Sequence, residues 1–551
     1  MERNTVGKLL LGALVVALAV PAAALADDQA LQTKVEDLTR KVQRLEEKSL
    51  SRWLSVSGDY RFRIDSLRGA TTPYTDVNQT FSFAQSQMNS GFLNDPAGFG
   101  PQVAAFQNFA TQMRGATTYQ AANAFLGNNQ AMLGALQNFA QVVPAYKPNN
   151  DTLYTNRLGL NIHAKATKDV TVNVRLLAYK AFGSQDDSSV TNAGSTPFFA
   201  DRTGVFDGTL GHVPSSSFLN VDRAYATWSN IADQPVWFSV GRRPSTGGAP
   251  GNLRTNDERP GNGGTPALLV DYAFDGMTIG WAPDIEALPG AYAKVCYGRG
   301  FESGFENPGN SLNDTDMLGV AVVPVDTDPL RVWLQWNRGF DIFDFPVMKN
   351  TAFGDTAPTV NLGSIDWYGA GAMSTLKDIG PGKLNFFGDA GLSVTHPNSN
   401  VSAGAGFQGL MTGQFFRPEA PNDKTGWAAY LGARYDYTPT DTKLGFEYNH
   451  GSKNWITFAP AADDIWTSKL GTRGNVYEAY LIQGLSMKAV SSYLSKAFFR
   501  IGYQYYDFEY TGSNNWVGAP VKISSISASD MMMLTPVKYA HDIYGTFEVK
   551  F

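Results

Sequence analysis

The chain has 551 residues, a formal net charge of -6, 43% hydrophobic and 13% aromatic residues, 55 glycines and one cysteine, Cys296. The mild acidity argues against nucleic acid or another polyanion as partner, and a lone cysteine excludes a disulfide framework and a cysteine-built metal centre. High aromatic content, with no apolar run of roughly 18 residues after the leader, fits a chain that crosses a membrane with strands and not helices.

Arg3 and Lys8 flank an apolar run from Leu9 to Val20, and the small-residue triplet Ala24-Leu25-Ala26 follows. This predicts a signal peptide over residues 1–26, cleaved after Ala26, and an exported chain. Leu31, Val35, Leu38, Val42 and Leu45 then repeat with four-three spacing, and Glu36–Arg40 and Asp37–Lys41 form i, i+4 pairs on the outer faces. The spacing predicts a periplasmic coiled coil over 27–50 that joins copies of the chain, expected as a homotrimer. The alternative is a single amphipathic helix lying on the base of the following domain or plugging it.

From residue 51 to 551 the pattern changes to period two. Leu54, Val56, Gly58, Tyr60, Phe62 and Ile64 alternate with Ser55, Ser57, Asp59, Arg61, Arg63 and Asp65, and Ile543 to Phe551 alternates in the same way. Oily on one side and wet on the other is what a membrane-spanning β-strand requires. Further alternating segments run over 153–165, 170–182, 219–229, 236–243, 266–274, 291–300, 316–325 and 330–339, then 364–376, 384–396, 426–437, 442–451, 476–485, 496–510 and 540–551. Tight breaks rich in Asp, Pro and Gly, such as 326–329 and 438–441, alternate with long ones, as in barrels with short turns at one rim and long loops at the other. The fold class expected is all-β: a transmembrane antiparallel barrel of about 16 strands, or 18 if Met277–Gly290 holds a further pair. Strands at both ends of the chain would meet and close it, since an open sheet edge cannot face lipid. That places it in the outer membrane with lipid as its surroundings.

The first long loop, 68–151, reads helically between Gln102 and Val143, with Phe106, Phe109 and Met113, then Ala131, Leu133, Leu136 and Phe139. Such an apolar stripe must be covered, either by folding into the barrel mouth or by packing on neighbouring loops. Ser486–Ser495 reads as a helical turn at the short-turn rim.

The phase that sends apolar residues to lipid turns Arg61, Arg63, Arg157, Arg175, Arg331, Arg434 and Arg500 inward, with Asp59, Asp65, Asp366, Asp389, Asp436 and Glu447 as acids. These are the expected pore-lining residues, and their near balance predicts neither cation nor anion preference. Arg242, Arg243, Arg254, Asp257, Glu258 and Arg259, in or beside the third long loop, are the expected constriction. The five histidines form no metal-ligand spacing, and nucleophile-elbow, phosphate-loop and haem-attachment motifs are absent, so no enzyme activity, metal or cofactor is expected. His163 and His450 are expected on the lumen wall.

Four stretches carry a resemblance. They are Tyr154-Thr-Asn-Arg-Leu-Gly-Leu-Asn-Ile-His163, Val221-Asp-Arg-Ala-Tyr-Ala-Thr-Trp228 with Trp237-Phe-Ser-Val-Gly-Arg-Arg-Pro244, Gly474-Asn-Val-Tyr-Glu-Ala-Tyr-Leu-Ile482, and Phe499-Arg-Ile-Gly-Tyr-Gln-Tyr-Tyr506. With the leader and stub, the chain resembles a family of porin-like outer-membrane channels of unassigned function. The resemblance implies fold and location, and brings no substrate or catalytic residue. Two roles follow as expectations: a passive or weakly selective channel for small hydrophilic solutes or ions, or a barrel sheathing a partner such as multihaem cytochromes in a trans-outer-membrane electron conduit.

Overall fold

The computed structural model describes residues 53–184, 218–245, 247–258, 268–307, 310–345, 348–351, 354–459, 464–485 and 496–551. The signal peptide, the coiled-coil stub and the segment 486–495 lie outside the described residues. The chain divides into two compact units, Met1–Ser55 and Val56–Phe551, and the architecture below belongs to the second.

Alternation dictates the sheet. The strands are β1 (Leu54–Thr71), β2 (Asn149–Lys165), β3 (Val170–Ala181), β4 (Phe218–Trp228), β5 (Val236–Ser245), β6 (Tyr272–Trp281), β7 (Tyr292–Phe301) and β8 (Thr315–Asp326). They continue as β9 (Arg331–Phe343), β10 (Asn361–Ile379), β11 (Gly382–Pro397), β12 (Lys424–Tyr437), β13 (Thr442–Gly451), β14 (Gly474–Gly484), β15 (Lys496–Phe508) and β16 (Val537–Lys550). Each pairs antiparallel with its neighbours in sequence, and β1 pairs with β16 from Asp59↔Lys550 to Thr71↔Val537, which closes the ring of sixteen. Backbone bonds between Gly58 and Phe551 in both directions, at 2.7 and 2.9 Å, complete the seam. Closure satisfies every ladder edge, the condition a strand structure must meet in hydrocarbon.

Ile64, Leu158, Leu219, Ile279, Leu334, Leu392, Leu444, Ile501 and Ile543 are exposed on the outward phase. A water-soluble domain does not leave a continuous belt of this kind uncovered. Both ends of the ring lie at the rim of short connections, and the long loops gather at the opposite rim.

Two expectations are corrected. The apolar run expected as a strand over 266–274 is mostly loop: Leu268, Leu269 and Val270 are buried core, and the strand β6 begins at Tyr272. Asp275 and Gly276 lie within β6 opposite Arg242 and Gly241 of β5, and β6 continues to Trp281, so Met277–Gly290 adds no pair and the count is not 18. An apolar run serves an infolded loop as well as a buried strand, and periodicity alone does not separate them.

Loop 1 (residues 72–148) holds four helices: α1 (Val77–Asn94), α2 (Pro96–Gly115), α3 (Tyr119–Asn128) and α4 (Gln130–Gln137). Helix α1 begins well before the expected 102, capped by the Asp76 carboxylate accepting from the Gln79 amide at 2.9 Å, and Asp95 caps α2 with Pro96 in the first turn. The apolar stripe is covered by a neighbouring loop. Phe109, Phe125 and Leu136 pack with Val401, Ala403 and Phe407 of loop 6 (residues 398–423), where the Tyr119 amide also donates to the Ser399 carbonyl at 2.8 Å.

Candidate functional site: the lumen and its infolded loops

The lumen of this barrel carries its own hydrophobic core. Loop 3 (described over 247–258 and 268–271), loop 6, loop 7 (described over 452–459 and 464–473) and loop 8 (509–536) turn inward against β8–β13, where Leu269, Met411, Trp455, Ile456, Trp516 and Val517 pack on Trp333, Trp367 and Phe387. Buried indole N–H groups need acceptors, and loop or strand-end carbonyls supply them: Trp367 donates to Ile456, Trp455 to Leu470 and Trp516 to Phe343, at 2.7 to 2.9 Å. The wall makes room with glycine. A Cβ on Gly391 would stand 2.8 Å from Trp455 Cη2 and 2.9 Å from Leu269 Cδ2.

Loop 3 crosses the bore. From the end of β5 at the long-loop rim it descends to the opposite wall, where its backbone accepts from Arg500 (Arg254 carbonyl, 2.7 Å), Lys550 (Thr255 carbonyl, 3.1 Å) and Lys496 (Asn256 carbonyl, 3.0 Å). The Asn256 side chain accepts from Lys443 at 2.7 Å, and Asp257 pairs with Lys550. Those three lysines stand at the short-turn ends of β13, β15 and β16, so the loop tip reaches nearly the far rim. Partial burial raises the Asp257 carboxyl, but Lys550 beside it prevails and holds it below the usual carboxylate range.

A buried ion cluster pins loops 3 and 7 to this wall. Arg254 reaches Asp464 of loop 7 at 2.8 Å and Glu478 of β14 at 3.3 Å, and Lys469 of loop 7 lies 2.6 Å from Glu478 and also bonds Glu447 of β13. Tyrosine hydroxyls complete the carboxylates: Tyr544 donates to Glu478 and Tyr430 to Glu447, each at 2.6 Å. Burial opposes the Arg254 charge, yet Asp464 and Glu478 drive its pKa further above its already high ordinary value. Each charge therefore depends on its partners, and deleting one leaves another uncompensated in low dielectric.

A second buried cation works differently. Arg473, next to β14, donates to the carbonyls of Trp455, Thr511 and Asn515 at 2.9, 3.1 and 2.6 Å, tying loops 7 and 8 together. Burial, its one cause of shift, lowers it to about 9.

Most of the expected pore-lining residues point inward but are buried, and Arg434, Arg500 and Glu447 among them are in contact with these loops. Arg61 donates to Tyr179 at 2.7 Å, and Arg63 is clasped by Asp65 and Asp542 at 2.6 and 2.9 Å. Arg331 donates to Tyr292 at 3.1 Å, and Arg434 bonds Asp436 at 2.6 Å and the Leu253 carbonyl of loop 3. Arg500 meets Glu548 at 2.9 Å, Glu447 lies in the ion cluster, and Asp389 is buried among the core aromatics near Trp333. Only Asp59, Arg157 and Arg175 are partly open: Asp59 lies 3.4 Å from Arg157 and 2.7 Å from Arg175.

Three placements differ from expectation. Asp366 sits on the outward phase of β10, bonded to Trp336 Nε1, Arg338 and His396. Trp367 beside it points inward, so alternation turns Asp366 away from the lumen. Arg242 is likewise outward, 3.1 Å from Asp275, while Arg243 faces inward with Ser239 at 2.9 Å. His450 stacks outward on Trp427, whereas His163 shares the inward phase with Asn173. Of the remaining constriction candidates, Glu258 is exposed beside Asp257, and Arg259 lies outside the described residues. Asp314 and Asp316 are both engaged by Arg299.

Sequence reasoning missed Lys469, Asp464, Glu478 and Tyr544. A signal was available for Glu478: Val476, Tyr480 and Ile482 share its inward phase while Tyr477, Ala479 and Leu481 face out. A strand apolar on both faces is covered on both.

Fold and lumen together define a porin-like outer-membrane β-barrel whose bore is narrowed by its own loops. Residues 147–551 match the family described as Protein of unknown function (DUF3373), and the chain belongs to that family. Among solved structures it resembles OprB of Pseudomonas putida (10% identity, 94% of this chain and 97% of that one, TM-score 0.40). Others are the channel DcaP of Acinetobacter baumannii (10%, 91% and 98%, 0.37) and an anion-selective porin of Comamonas acidovorans (11%, 90% and 99%, 0.38). No curated protein matches the sequence.

Proposed function

We propose that the barrel is a channel for passive, weakly selective diffusion of small hydrophilic solutes or ions, with loop 3 as its constriction. The observation that carries this reading is the path of loop 3 across the bore to Lys443, Lys496 and Lys550, which leaves the charged wall of Asp59, Arg157 and Arg175 on the open side. Opposed charges across a narrow opening set ion selectivity. A sheath for cytochromes needs an empty bore, and loops 3, 6, 7 and 8 occupy much of this one. The coiled coil of Leu31, Val35, Leu38, Val42 and Leu45 is proposed to hold a periplasmic trimer, which crosslinking of full-length and stub-deleted protein would test. The main test is reconstitution in planar bilayers. Discrete conductance steps with a measurable reversal potential in a salt gradient are expected, and a silent barrel that co-purifies with haem protein would overturn the reading.

A further inference from the structure

Where loops 6, 7 and 8 meet, a cavity of about 70 Å³ adjoins the guanidinium of Arg473. A water needs roughly 10–15 Å³ of such space, so this one takes several waters or one small ion, whereas organic ligands use pockets of about 300 Å³ or more. Its polar lining comes from Arg473, Gln408, Gln414, Thr511 and Asn515, and three methionines, Met531 to Met533, are prominent in the rest. No carboxylate is among the lining residues.

Arg473 is 1% exposed. A guanidinium carries five N–H groups. Four are taken, by the carbonyls of Trp455, Thr511 and Asn515 and by Met411 Sδ at 3.3 Å, and all of these acceptors are neutral. The fifth, on Nη1, has no acceptor among the described residues. That atom lies beside Gly512, where an added Cβ would stand 3.4 Å from it. Burial alone moves the Arg473 pKa and no acidic group contributes, in contrast to Arg254 with its carboxylates. A cation buried without a protein counter-charge is costly, and an anion beside it offsets that cost.

Further donors face the same space. The side-chain amides of Gln408 and Gln414 make no hydrogen bond among the described residues. Gly518 leaves room for the Gln408 carboxamide, since a Cβ there would stand 2.5 Å from Oε1 and 3.0 Å from Nε2. Either amide can turn its N–H groups toward a negative charge placed at Nη1.

We infer that this cavity is a binding site for one small, weakly hydrated monovalent anion of the halide class, held by Arg473 Nη1 and the amides of Gln408 and Gln414. One negative charge balances the guanidinium. The apolar part of the lining cannot replace a tightly held hydration shell, so bromide and iodide suit the site better than fluoride or sulfate. Bound there, the anion joins loop 6 (Gln408, Gln414), loop 7 (Arg473) and loop 8 (Gly512) into one clamp. The inference is independent of the channel reading, and its test requires no conduction.

The test uses the full chain, purified in detergent with gluconate as the only anion. Crystals soaked in sodium bromide are expected to show an anomalous peak beside Arg473 Nη1. In solution, chloride NMR should show a saturable excess linewidth that iodide displaces at lower concentration than fluoride does. Gln408→Leu should raise the half-saturating chloride concentration about tenfold, as expected for one hydrogen bond to a charged group, with the protease resistance of the long loops unchanged. Arg473→Gln abolishes the saturable linewidth, and Arg473→Lys, which keeps the charge, retains part of it. Should Arg473→Gln release the loops to protease, Gln408→Leu and the bromide map decide. Water alone in the cavity of bromide-soaked crystals overturns the site, as does a linewidth unaltered by Gln408→Leu. Displacement by fluoride ahead of iodide overturns the assignment to weakly hydrated anions.

Discussion

The lumen wall of β12–β16 and that of β1–β4 carry the same kinds of side chain and serve opposite purposes. On β1–β3, Arg175 and Asp59 meet at 2.7 Å with side chains 13% and 17% exposed, open to water. On the adjoining wall, Glu447 and Glu478 pair with Arg254 of loop 3 and Lys469 of loop 7 at similar lengths with almost no exposure, because those loops lie over them. Cover decides which role a charge plays. A hydrated ion pair contributes roughly 0–1 kcal/mol and shapes the field a solute feels. A buried one is weak evidence for net stability, yet removing a single partner costs about 3–5 kcal/mol, so it acts as a registration device for the loop that covers it.

The severest way to break the contrast is Glu478→Ala. It strands Lys469 and Arg254 without their shared acceptor, and a loss of about 3–5 kcal/mol is expected. Thermal unfolding should shift downward, and unitary conductance should rise as loops 3 and 7 lose their anchor. Conductance equal to that of the parent would show that these loops do not set the bore.

Trp516→Ala tests the apolar half of the plug. It removes a nearly inaccessible indole bonded to the Phe343 carbonyl, and about 3–5 kcal/mol should be lost from loop packing. Protease sensitivity confined to the long loops, with strand content by circular dichroism unchanged, is the expected pattern.

A milder effect is expected at the loop 3 tip. Asp257→Asn removes a negative charge beside Lys550 at the opening, so the reversal potential in a salt gradient should move toward anion preference with little change in unfolding temperature. The pH dependence follows from the sign of the shift. The folded Asp257 carboxyl is held below its ordinary range, so its pairing persists above that range and is lost as pH falls through the lowered value. Selectivity of the parent should therefore stay constant from neutrality to about pH 4 and shift toward anions only below it, with the variant flat throughout.

Smallest of all is Asp366→Asn, on the outward wall beside Arg338. Ion selectivity should be unchanged. A changed reversal potential would mean that this wall feels the lumen after all.

Much of this molecule was legible before folding. Period-two patterning located fifteen of the sixteen strands closely, because a strand with lipid on one side and water on the other must alternate. The sixteenth, β6, was displaced by Leu268–Val270, whose burial comes from loop packing. Phase also separated inward from outward side chains, except at Asp366 on β10 and His450 on β13, polar residues on the outer face, and around Arg242-Arg243, where Gly241 takes a positive φ of 119° and neighbouring side chains are easily misassigned.

Which inward residues water reaches was beyond the sequence. That depends on contacts such as Arg254 with Glu478 and Trp516 with the Phe343 carbonyl, between residues far apart in the chain. Local patterning sets the face a side chain turns toward, since it follows from backbone geometry one residue at a time. What lies over that face is settled only when the ring closes and confines the long loops above one bore. There the buried charges and indoles accept only the positions in which every donor and acceptor is met.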